Sequence, residues 1–226
     1  FECGKNYLHQ YIMSSTSSAI GCKNSKYENL EDIKNLNIII GNDKMEGNCM
    51  YKHHSNFELR GGEHLDNLRH NLDVLGEKSN KIFEIGFNGG HSSAIMLNNN
   101  KSAHLVAMDI GKHNYTGKCI DYFKNKYHVD YIEGNSNKTL PNYNPGIIFD
   151  LIHVDGGHGL KTANNDIIYS KKLSDSDTLL LVDDTNFKRL RVLLDNMIEE
   201  GYLTEVNYEK LNLKPTKYHR VFNYVH

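Results

Sequence analysis

The chain predicts an α/β fold: a Rossmann-like, doubly wound and mostly parallel sheet. Three observations carry the prediction. From residue 61 onward, short apolar runs alternate with amphipathic helical patterns, the rhythm of βαβ units. The first run leads straight into a glycine-rich turn, Gly86-Phe87-Asn88-Gly89-Gly90. Later runs end in acidic residues, and sheets of this kind keep their ligands outside the carboxyl ends of the strands.

In chain order, residues 1–60 read as an N-terminal extension, a lid or substrate-side segment that is partly ordered, and residues 61–226 as the domain. The extension is polar and irregular. It holds one apolar cluster at residues 36–40, a His53-His54 pair expected in a solvated loop, and no structure is expected for residues 1–25. Leu65, Leu68, Leu72 and Leu75 follow the i, i+3, i+7, i+10 stripe of an amphipathic helix, and Gly76 is expected to stop it. Residues 81–85 read as the first strand, with a helix over 91–97 after the glycines. A second strand spans 103–110, a second helix 115–127 and a third strand 129–132. After a loop holding Pro141 and Pro145, residues 147–154 form the fourth strand and 160–173 a helix. Residues 178–182 are the fifth strand. The helix over 187–200 turns Leu190, Leu193, Leu194, Met197 and Ile198 to one side, and Gly201 ends it. Two closing strands are expected at 203–208 and 218–225.

Composition narrows the function classes. The 226 residues carry 26 Lys+Arg against 28 Asp+Glu, a net charge of −2, and a nucleic-acid partner would call for a strongly basic face. Apolar runs such as Leu179-Leu180-Leu181-Val182 fall far short of the ~20 residues a membrane span needs. The cysteines, Cys3, Cys22, Cys49 and Cys119, make no C-x-x-C pair and read as reduced thiols, which points to a cytoplasmic protein. No signal-peptide pattern opens the chain. The partner expected is a small molecule, with no nucleic acid and no membrane; a homo-oligomer is compatible with everything above.

The polar residues after the strands supply the chemistry. Glu84-Ile85-Gly86-Phe87-Asn88-Gly89-Gly90-His91-Ser92-Ser93 lets the backbone turn sharply and approach a ligand closely. Asp109, ending the second strand, suits both hydroxyls of a ribose, a need shared by nucleotide cofactors including NAD. Gly134-Asn135-Ser136 is placed to meet an adenine. Asp155 ends the fourth strand and Asp183-Asp184 the fifth. Parallel neighbours lie about 4.8 Å apart, so the three carboxylates are expected to converge. Like charges ~4 Å apart repel by about 4 kcal/mol at an effective dielectric of 20, which calls for protons or a cation. Oxygen ligands select a hard ion, Mg²⁺ above all. Each aspartate taken singly is equally well a helix cap, as Asp184 or Asn186 would be for the helix that follows.

The run from Glu84 to Ser92, with Asp109, Gly134 to Ser136, Asp155 and Asp183-Asp184, resembles a class I S-adenosylmethionine (SAM)-dependent methyltransferase. More narrowly, it is similar to metal-dependent small-molecule O-methyltransferases of the catechol type and to macrocin and sugar O-methyltransferases, over residues 61–225. The resemblance implies that Glu84, Gly86, Phe87, Asn88, Gly90 and Ser92 surround the methionine part of the cofactor. It implies that Asp109 holds the ribose, that Asn135 and Ser136 sit by the adenine, and that Asp155 borders both cofactor and metal. Asp155, Asp183 and Asp184 would bind a divalent cation, Mg²⁺, and His158 with Asp155 would form the catalytic pair. His158 stands three residues past Asp155, where catechol enzymes carry a lysine base; Asp183-Asp184 stands where they carry Asp-Asn, closer to the sugar-methylating relatives.

The expected reaction is methylation of a small-molecule or sugar hydroxyl with neighbouring oxygens. A rival reading is a non-catalytic SAM- or sugar-binding module on the same fold. An NAD-dependent dehydrogenase is disfavoured because Gly86-x-x-Gly89-Gly90 departs from G-x-G-x-x-G.

Overall fold

The computed structural model describes residues 25–157 and 159–226. Seven strands, β1 Lys81–Ile85, β2 His104–Asp109, β3 His128–Glu133, β4 Leu151–Val154, β5 Leu179–Val182, β6 Leu203–Glu205 and β7 Arg220–Tyr224, form one sheet in the order β3-β2-β1-β4-β5-β7-β6. The first five run parallel; β7 lies antiparallel to β5 and β6. The helices are α1 Glu31–Ile40, α2 Glu63–Glu77, α3 His91–Met96, α4 Asn114–Lys124, α5 Ser136–Thr139, α6 Leu160–Ser170, α7 Lys188–Glu199 and α8 Tyr208–Leu211.

Strand periodicity sorts the sheet into two faces. Ile82, Leu105, Ala107, Leu151 and Leu181 pack with α1 to α4. Phe83, Ile85, Val106, Met108, Ile152, Val154 and Leu180 pack with α6 and α7 through Ala163, Ile167, Leu190 and Leu194. Strand order reverses at β1 and β4, which opens a crevice at their carboxyl ends. No helix among the described residues is long and apolar enough to cross a membrane.

Three sequence expectations change. The cluster at 36–40 belongs to a complete helix, α1, whose Ile33, Leu36 and Ile40 are buried in the main core with Tyr27, Met45, Met50 and Tyr51. Its polar residues hid it: Asp32 turns inward and accepts hydrogen bonds from Tyr122 Oη and Tyr127 Oη, both 2.5 Å, and from Lys126 Nζ at 2.6 Å. Burial works against that carboxylate, but the three donors together hold it below its ordinary value. Gly76 does not stop α2. The helix continues to Glu77, and the glycine is a point of close approach, since a Cβ there would lie 2.1 Å from the Met96 carbonyl oxygen of α3. The segment expected as a strand over 203–208 is shorter, and α8 follows it.

Arg69 of α2 is fully buried and ties residues 49–60 to the domain. Its Nε donates to the Cys49 carbonyl at 2.9 Å, its Nη2 to the carbonyls of Met50 and Arg60, and its Nη1 to Asp66 at 2.9 Å.

Candidate functional site

The crevice holds a cleft of about 340 Å³ lined by the β1 glycine turn, the ends of β2 and β3, the β4 end and residues 46–49. The turn is possible because Gly86 adopts φ 97° and passes against β4, where a Cβ would stand 2.0 Å from the Asp155 carbonyl oxygen. Gly90 caps α3 in the left-handed region, and Asn88 shares that conformation at φ 52°. The Asn88 side-chain oxygen accepts from Tyr115 Oη at 2.6 Å, which holds the loop in place.

Asp109 is locked from two sides. Its Oδ2 accepts the Asn88 amide and its Oδ1 the Gly111 amide, both at 2.8 Å. A carboxylate has capacity for further donors, so it presents remaining lone pairs to the cleft. Asn135 caps α5 by accepting the Asn137 amide at 3.0 Å, and Asn135 and Ser136 line the far end of the cleft with Ile110 and Met108.

Glu84 is completely buried behind the glycine turn. On its face of β1 it accepts from Ser92 Oγ at 2.5 Å and from Ser93 Oγ, and it pairs with His153 Nδ1 at 3.0 Å. It braces the start of α3 against β4 and does not line the cleft; Ser92 does. His91 also lines it, buried between Asn37 and Asn48, and burial pushes its imidazole down to about 3, which keeps it neutral.

A second cavity of about 440 Å³ adjoins the first and shares Asp155, Gly156 and Gly157 with it. It lies between α6 and α7 and is lined by Leu160, Ala163, Val182, Leu190, Phe187, Lys188 and Arg189, with Asp155, Asp183 and Asp184 among its walls. Burial pushes the Asp155 carboxyl well above its ordinary value, reinforced by the charges of Asp183, Asp184 and Glu84. Burial, then the Asp184 charge, pushes Asp183 up to about 6. Asp183 Oδ1 is buried without a hydrogen-bond partner. An orphaned carboxylate oxygen in an oxygen-only set fits a hard divalent cation. Among the described residues, the three aspartates do not bring one oxygen each within 4.8 Å of one another.

The crevice thus brings together Gly86, Phe87, Asn88, Ser92, Asp109, Asn135, Ser136 and Asp155. Asp183 and Asp184 join Asp155 in the second cavity. His158 lies outside the described residues, as do Cys3 and Cys22. Sequence reasoning did not find Glu46, Gly47 and Cys49 in the cleft wall, because partners distant in sequence hold the segment there, Arg69 at Cys49 and Tyr115 and His113 at Glu46. It also missed Lys188 and Arg189; their place right after a strand-end loop was the available signal.

Residues 83–185 match the profile of the methyltransferase-domain family. Over those residues the chain is similar to a methyltransferase domain. Its strand order, with the seventh strand inserted antiparallel, is the class I methyltransferase fold. Among solved structures, a Staphylococcus aureus protein provisionally named a caffeoyl-CoA O-methyltransferase aligns at TM-score 0.56 and 15% identity, covering 69% of this chain and 83% of that one. TomG of Streptomyces achromogenes, an O-methyltransferase of tomaymycin synthesis solved with SAM, aligns at 0.52 and 17%, covering 71% and 79%. NodS, an N-methyltransferase of Bradyrhizobium japonicum solved with S-adenosylhomocysteine, aligns at 0.53 and 14%, covering 86% and 99%. No curated protein matches the chain in sequence.

Proposed function

We propose that this protein is a SAM-dependent O-methyltransferase, assisted by a divalent cation and acting on a hydroxyl of a small molecule or sugar with neighbouring oxygens. The observation that carries the reading is the union of two cavities at Asp155, one walled by a glycine turn and a locked Asp109, the other by Asp183 and Asp184. When bound, SAM supplies a sulfonium methyl already activated for attack by oxygen. The glycine turn leaves room for the cofactor, since a side chain at Gly86 would fill its own backbone contact with Asp155. Asp109 orients the ribose through two lone pairs that its backbone donors leave free. The carboxylates nearby favour a cationic sulfonium over its neutral product, which lowers the barrier to product release.

Asp155, Asp183 and Asp184 are the residues that would hold the cation, which when bound lowers the pKa of a chelated hydroxyl. The walls of the second cavity align an acceptor with the cleft, and holding two reactants in place is itself worth several kcal/mol. His158, three residues past Asp155, is the proposed base that takes the hydroxyl proton, a role worth typically 10²–10⁴-fold.

The test is transfer of labelled methyl from SAM to a panel of catechols and sugar diols, with Mg²⁺ and with EDTA. The reading requires turnover that EDTA and Asp155→Asn each abolish while S-adenosylhomocysteine still binds. Turnover that survives EDTA removes the metal; cofactor binding with no turnover on any diol favours a non-catalytic module.

A further inference from the structure

At the far end of the sheet from the crevice, three potential ligand groups meet on one face. His104 opens β2, and His128 and Asp130 lie on β3, whose register places His104 opposite His128 and Val106 opposite Asp130. Side chains alternate along strands, so His104, His128 and Asp130 all project on the side that carries Val106 and Met108 farther along. The His104 and His128 rings stack at 3.9 Å with 9° between their planes, and His104 Nε2 lies 2.8 Å from Asp130 Oδ2. One ligand atom from each of the three residues falls within 4.8 Å of the others.

We propose that His104, His128 and Asp130 form a transition-metal site, of Zn²⁺ type, that clamps the amino ends of β2 and β3. A surface ion pair accounts for His104 and Asp130 but not for the second imidazole, brought ring to ring with the first. Two imidazoles and one carboxylate are a mixed nitrogen and oxygen set, which suits zinc and its neighbours over Mg²⁺ or Ca²⁺. Tetrahedral zinc with bonds near 2.0–2.1 Å holds its ligand atoms about 3.3 Å apart, so closing the site requires the two rings to tilt out of their parallel stack toward a common point. Such movement is open to the group: His128 and Asp130 are exposed and His104 is half-buried. In the bound form His104 carries its proton on Nδ1, and Nε2 exchanges the Asp130 contact for the metal, with no net change in protons. The remaining position faces solvent and takes water.

The site has a structural role. β3 is the edge strand, and its other end carries Gly134, Asn135 and Ser136 into the cleft, as β2 carries Asp109. A metal bridging the two amino ends ties the edge strand to the sheet without touching the reacting groups.

The test is calorimetric titration of the full chain with zinc chloride in excess Mg²⁺, which occupies the carboxylates of the crevice. The proposal requires one equivalent bound, a raised melting temperature, and at least ~10-fold weaker binding in His128→Ala and in Asp130→Asn. A His53→Ala/His54→Ala variant, altering the other adjacent histidines, should bind zinc as the wild type does. Zinc affinity unchanged in His128→Ala, or lost in the His53/His54 variant, overturns it. Circular dichroism of the metal-free variants confirms that they fold.

Discussion

Replacing Gly86 by alanine tests the joint between the two cavities with one methyl group. At φ 97° an alanine is strained before any contact is counted, by roughly 1–2 kcal/mol. Its Cβ would lie 2.0 Å from the Asp155 carbonyl oxygen, 2.5 Å from the carbonyl carbon and 2.9 Å from Gly156 Cα. All three are backbone atoms of the β4 end, so no rotamer change relieves the overlap, and overpacking adds about 1–3 kcal/mol. The combined loss is about 2–5 kcal/mol, which at ~2–4 °C per kcal/mol lowers the melting temperature by about 4–20 °C. The same displacement moves Asp155, so S-adenosylhomocysteine affinity should fall as well. Gly117→Ala is the matched control: it sits exposed in α4 with nothing within 4 Å of a new Cβ. There the exchange should stabilise by up to ~1 kcal/mol through helix propensity. Differential scanning fluorimetry and calorimetric titration read both quantities. A Gly86→Ala protein with wild-type melting temperature and wild-type cofactor affinity would refute the account of the crevice.

Three further outcomes follow from the same contacts. If Asp109 holds the ribose as proposed, Asp109→Ala removes two charge-assisted hydrogen bonds to it, so cofactor affinity should drop about 100-fold by calorimetry, at about 1.5 kcal/mol per bond. Asp166 is buried beneath Gly156, and burial pushes its carboxyl up to about 6 while the nearby Ser136 hydroxyl works against the shift. No group completes a hydrogen bond of ordinary geometry to either of its oxygens. The folded state therefore holds this proton more tightly than the unfolded one, and its contribution, on the order of 3 kcal/mol, is present below pH ~4 and lost as pH rises to about 6. Urea titrations should show Asp166→Asn gaining stability relative to wild type across that window; a constant difference refutes the assignment. Arg69→Met leaves the carbonyls of Cys49 and Arg60 without their donor and Met50 with only the Arg60 amide, at a cost of about 3–5 kcal/mol. It should also weaken cofactor binding, because Cys49 and its neighbours wall the cleft.

What the sequence by itself determined was set by local periods. The 3.6-residue stripe of α2 and α7 and the apolar runs of β1 to β5 are written over a few consecutive residues, so their order implied the sheet. Because parallel strands all end on one edge, that order also placed Asp109, Asp155 and the glycine turn at one crevice, with Asp183 in the cavity that adjoins it. Helix α1 escaped because its buried face includes Asp32, whose compensating donors are Tyr122, Lys126 and Tyr127, far along the chain. The family resemblance implied that Glu84 surrounds the cofactor. Only packing shows that Ser92, Ser93 and His153 enclose it. Gly76 read as a helix stop because its close contact with Met96 belongs to another element. Burial, partners and proton affinity are pairwise properties of residues distant in sequence, and the tertiary structure alone decided them.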